Sequence, residues 1–89
     1  VKLTRVYPDA EGKIKFPPCS YGQDRGVWYI RLPGCHLGSV NKHTVVEHYE
    51  DGTITVSPSI LHHDYEMVDG VKRDKTVHGY IEHGVWREC

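Results

Sequence analysis

Three kinds of side chain in this 89-residue sequence could do chemistry: seven histidines, three cysteines, and two serines flanking a proline. Ser57-Pro58-Ser59 directly follows a run of β-branched residues. Pro58 has a fixed φ and no N–H, and it pushes Ser57 into an extended conformation, so strand pairing is expected to break there. A side chain beside the proline is then presented outward, and the N–H groups of Ser59 and Ile60 are free to hold an oxyanion. A serine hydroxyl is a weak nucleophile; it needs an adjacent base, itself oriented by a third group. Ser-Pro-Ser is also an ordinary way to end a strand, and spacing does not separate the two readings.

Structural zinc sites announce themselves by paired ligands at short spacing, repeated downstream. Here Cys35-His36 is one adjacent pair, His62-His63-Asp64 another, and Cys19 and Cys89 stand alone. Four ligands can be assembled on paper from Cys19, Cys35, His36 and His78, but the spacing singles out no set. Scattered surface and turn histidines account for the pattern, and neither metal nor cofactor is expected. Pro33-Gly34-Cys35-His36 sets a thiol beside an imidazole, yet neighbours on a strand point to opposite faces. A structural thiol is the simpler account.

Composition removes several function classes. An odd number of widely spaced cysteines is unlike a secreted disulfide framework and suits a cytoplasmic protein with reduced thiols. No window approaches the ~18 apolar residues of a membrane span, and Val1 to Val6 lacks the shape of a signal peptide. A formal net charge of -1 argues against a nucleic-acid binder. The expected partner is therefore neither membrane nor nucleic acid.

The elements that must position these groups are strands. Val, Ile and Thr together make 21 residues, whereas Ala and Leu together make 5, which disfavours helices and suits a pleated surface. A first strand is expected over Lys2 to Tyr7, an irregular stretch over Lys13 to Gly26, and a strand over Val27 to Arg31. Thr44 to Tyr49 and Thr53 to Ser57 flank Asp51-Gly52, a strong hairpin signal. As a two-residue loop it would set Tyr49 opposite Ile54, Glu47 opposite Val56 and His48 opposite Thr55. A longer loop would change that register. Two further hairpins are expected, turning at Asp69-Gly70 and at Glu82-His83-Gly84. The whole chain, 1–89, then reads as a single small all-β domain, an antiparallel meander of hairpins forming a curled sheet or two packed sheets.

The stretch Asp51-Gly52-Thr53-Ile54-Thr55-Val56-Ser57-Pro58-Ser59-Ile60, followed by His78-Gly79-Tyr80-Ile81-Glu82-His83-Gly84, adds to this reading. With Trp28-Tyr29 and Pro33-Gly34-Cys35 it resembles the BubE-like family of small bacterial and phage serine peptidase domains, the peptidases of bacterial ubiquitin-like conjugation operons. The resemblance runs from about Gly26 to the C-terminus. It implies a serine peptidase that trims or deconjugates a ubiquitin-like protein, with Ser59 as nucleophile and His78 as general base. The match does not identify a third member; Asp64 and Glu47 are the candidates, although the expected register puts Glu47 on the face away from Ser59. Leu32 and Val77 stand where relatives often carry cysteines, which makes a zinc site less expected here than in them. The alternative function is a non-enzymatic β module that binds a partner protein, with zinc held by Cys35 and histidines.

Overall fold

The computed structural model describes all 89 residues, and every regular element in it is a strand. One sheet contains β1 (Thr4–Arg5), β2 (Ser20–Asp24), β3 (Val27–Arg31) and β4 (Gly38–Ser39), in that order. The second contains β5 (Thr44–His48), β6 (Thr53–Val68), β7 (Val71–Glu82) and β8 (Val85–Glu88), again in chain order. The chain is thus an all-β domain of two four-stranded sheets.

Tight turns set most of the registers. Arg25-Gly26, Asp69-Gly70 and His83-Gly84 each join two antiparallel strands, and both residues of each pair have positive φ. That is the backbone a type I′ hairpin turn requires, because its twist matches that of the flanking strands. Asp51-Gly52 behaves differently. Only Gly52 has positive φ (73°), and Glu47 pairs with Ile54 and His48 with Thr53, leaving a four-residue connection, Tyr49 to Gly52. The cause is local: Asp51 accepts hydrogen bonds from the Thr53 N–H (3.0 Å) and hydroxyl (2.7 Å), while the Gly52 N–H donates to His48 O (2.8 Å). These bonds close a longer turn before a two-residue one can form. The register slips by two residues from the expected one, so every side chain keeps its face.

Two other expectations need correction. Lys13 to Gly26 is not wholly irregular, since Ser20–Asp24 pairs with β3. Gly22 is a packing residue there: a Cβ would lie 2.7 Å from Val6 O. The first strand is shorter than Lys2 to Tyr7, and its pairing with β2 is parallel, so the first sheet is not a pure meander. The N-terminal segment instead stitches the two sheets together. Trp86 N–H donates to Val1 O (2.7 Å) and Leu3 N–H to Gly84 O (2.8 Å), after which Thr4 N–H donates to Cys19 O (2.9 Å).

The core lies between the sheets. Leu3, Tyr21, Ile30, Leu32, Cys35 and Val40 come from the first side and Ile54, Val56, Ile60, Ile81 and Trp86 from the second. Along β6 the burial alternates, with Ile54, Val56 and Ile60 inward, then His62 and Asp64 on the same face. Leu61 and His63 point away from the core. Beyond Asp64 the β6–β7 pair continues as an exposed hairpin arm.

Candidate active site

Val56 pairs with Ile81 and Ile60 with Gly79, so three residues of β6, Ser57, Pro58 and Ser59, oppose the single residue Tyr80. Pairing does break at Pro58, as a missing N–H requires, but β6 does not end there. The strand bulges outward and rejoins the ladder at Ile60, and both Val56 and Ile60 keep their inward positions. The Ser57–Pro58 peptide bond is cis. Ser59 lies outside both the β5–β6 and the β6–β7 registers, so its N–H is not committed to a ladder. Ile60 sits within the β6–β7 ladder, which makes Ser59 N–H the freer of the two expected oxyanion donors.

His78 lies on the neighbouring strand opposite Leu61, and its side chain shares the outward face. Its Nε2 is 3.0 Å from Ser59 Oγ, and both residues are exposed. The next residue along β7, Gly79, faces the core side of the sheet. A Cβ on Gly79 would strike Arg87 O and fall 2.7 Å from the Trp86 ring, so only glycine admits that ring so close to β7. A third residue, His43, was not singled out by the sequence. Thr44 pairs with Ser57, which brings the preceding His43 close enough for its Nε2 to donate to Ser59 O at 3.2 Å. No motif marks His43; only the β5–β6 register puts it there. Leu61 (54% exposed) and Tyr80 (43% exposed) leave apolar surface on either side of the pair.

The candidate third members are elsewhere. Asp64 follows Leu61 by three positions and therefore projects from the opposite face of the sheet to His78. Its Oδ1 accepts from His36 Nδ1 (2.7 Å) and Tyr65 N–H (2.8 Å), and its Oδ2 from His36 N–H (2.7 Å). Burial would push this carboxyl up, but those donors outweigh it and hold Asp64 well below the usual carboxylate range. Asp64 therefore does not orient His78. Glu47 also faces inward and accepts a hydrogen bond from Arg5 Nη1 at 2.7 Å. The outward arrangement is a serine–histidine pair without an acid.

Cys35 is not presented as a nucleophile. Cys35 is buried, and burial pushes its thiol up, with Asp64 adding to the effect and Lys75 opposing it. A thiol of that kind is a poor nucleophile at neutral pH. Cys19, Cys35, His36 and His78 are not brought together, because His78 is on the outer face while Cys35 lies in the core. The donor atoms of Cys35, His62 and Asp64, in contrast, all lie within 4.8 Å of one another on the inner face. Cys19, Cys35 and Cys89 are all free thiols, and no helix is long and apolar enough to cross a membrane.

Comparison of the chain with protein-family models, with curated proteins and with solved structures finds no match in any of the three.

Proposed function

We propose that this chain is a serine peptidase, with Ser59 as nucleophile and His78 as general base. The observation that carries the reading is the 3.0 Å approach of His78 Nε2 to Ser59 Oγ across two strands, at an exposed bulge. Hydrogen-bond reach between nucleophile and base is the first geometric requirement of this chemistry. In the proposed reaction Ser59 Oγ attacks a carbonyl carbon while its proton passes to His78 Nε2. The Ser59 N–H is the donor available to the oxyanion. His78 then protonates the leaving group, and a water molecule deprotonated by the same imidazole releases the acyl group.

The substrate class rests on the BubE-like resemblance: the tail of a ubiquitin-like protein, or a similar extended segment, cut in the cytoplasm of a bacterium or in a phage-infected cell. Exposed Leu61 and Tyr80 suit a protein tail better than a small polar substrate. The test is cleavage of a ubiquitin-like precursor by the wild type, Ser59→Ala and His78→Ala. Both variants are expected to lose at least 100-fold in rate, the lower end of what a general base contributes. Full activity in both would overturn the assignment. Binding of a precursor without any cleavage would favour the partner-binding module instead.

A further inference from the structure

The inner face of β6 carries a second cluster that the outer pair does not use. Cys35 comes from the β3–β4 connection and His62 and Asp64 from β6, so the three residues span the two sheets. His62 Nε2 is buried and has no hydrogen-bond partner. The Asp64 Oδ2 beside it is 3.6 Å away, beyond hydrogen-bond range. A buried ring nitrogen left unpaired carries a desolvation cost that native structures normally avoid. The ring is also held in place: a Cβ on Gly38 would fall 2.6 Å from His62 Cε1 and 3.0 Å from Nδ1. Gly38 has no positive φ, so the close approach of this imidazole is what excludes a side chain there.

We propose that Cys35 Sγ, His62 Nε2 and Asp64 Oδ2 bind one zinc ion, with water as the fourth ligand. Bond lengths of ~2.0–2.3 Å in a tetrahedral site put donor atoms on the order of 3.3–3.7 Å apart. The observed 3.6 Å between His62 Nε2 and Asp64 Oδ2 already falls in that range. A thiolate, an imidazole and a carboxylate together match zinc and not the all-oxygen preference of magnesium or calcium. His36 completes the arrangement from outside: its ring and its backbone N–H each hold one oxygen of Asp64, fixing the carboxylate. Binding replaces the thiol proton of Cys35, which passes to solvent, and cross-links the β3–β4 connection to β6. The site is on the opposite face of the sheet from Ser59 and stands whether or not Ser59 is a nucleophile.

Cobalt(II) titration of the metal-stripped full chain tests the site, because thiolate–cobalt charge transfer distinguishes Cys35 from the exposed histidines. The expected result is a thiolate band saturating at one equivalent and abolished by one equivalent of zinc. The band should vanish in Cys35→Ser and persist in Cys19→Ser and Cys89→Ser. His36→Ala should keep the stoichiometry and weaken zinc binding 10–100-fold. If Cys35→Ser fails to fold by circular dichroism, loss of the band in folded His62→Gln or Asp64→Asn serves the same purpose. No thiolate band in the folded wild type, or a band unchanged in all three ligand variants, would overturn the proposal.

Discussion

Gly79→Ala is the most informative single perturbation, because one methyl group tests the packing beneath the strand that carries His78. The new Cβ would meet Arg87 O and the Trp86 ring, whose Cη2 would be 2.7 Å away and Cζ2 2.9 Å. Neither partner can retreat easily. Arg87 O belongs to β8, and Trp86 is 4% exposed in the core. Overpacking of this kind costs roughly 1–3 kcal/mol, and backbone involvement points to the upper end. At about 3 kcal/mol, with roughly 4–8 °C per kcal/mol for a domain of this size, Tm should fall by about 12–24 °C. Gly70→Ala is the matching control. Gly70 has φ 77° and nothing within 4 Å of its would-be Cβ, so its cost is purely conformational, about 1–2 kcal/mol. Chemical and thermal denaturation followed by circular dichroism compare the two. Because His78 adjoins Gly79, reactivity of Ser59 should also drop in the fraction that stays folded. A Gly79→Ala protein as stable as Gly70→Ala, with unchanged Ser59 reactivity, would refute the packing argument.

Three further outcomes are expected. His43→Ala removes the 3.2 Å bond to Ser59 O and should lower the unfolding free energy by about 1 kcal/mol, as urea titration would read. Arg5→Ala deletes bonds to Glu47 (2.7 Å) and Gly52 O (2.9 Å) that tie β1 to the β5–β6 hairpin; about 2 kcal/mol of stability should be lost in urea titration. Burial raises the Tyr21 phenol above its ordinary range, so the folded chain keeps this proton where the unfolded chain has released it. That stabilisation is complete below the unfolded value of about 10 and is lost as pH rises past it. Tyr21→Phe should therefore flatten the alkaline decline in unfolding midpoint.

The all-β class, the Val27–Arg31 strand and the Asp69-Gly70 turn were legible because each rests on local chemistry: β-branched runs and residues that tolerate positive φ. The turn expected at Glu82-His83-Gly84 is there too, but tightened to His83-Gly84, since Glu82 pairs with Val85. The Asp51-Gly52 turn misled because Asp51 bonds Thr53 through its side chain, an option that a dipeptide signal does not reveal. Ser20–Asp24 hid behind Gly22, whose role is to admit Val6 O and not to break the strand. At the site, proline chemistry correctly marked Ser59 as a displaced, outward residue, although inside a bulge and not at a strand end. Asp64 turns away from His78 because its partner, His36, sits 28 residues away in the connection between β3 and β4, a contact that no local spacing reveals. His43 and the Cys35–His62–Asp64 cluster were invisible for the same reason: each depends on pairing or packing between segments distant in sequence.

The central claim, that His78 activates Ser59, is tested most directly by a fluorophosphonate probe mapped to its site by mass spectrometry. A single adduct on Ser59 is expected in the wild type, absent in Ser59→Ala and slowed at least 100-fold in folded His78→Ala. An unlabelled Ser59 in the folded protein, or labelling at the same rate in His78→Ala, would contradict the account.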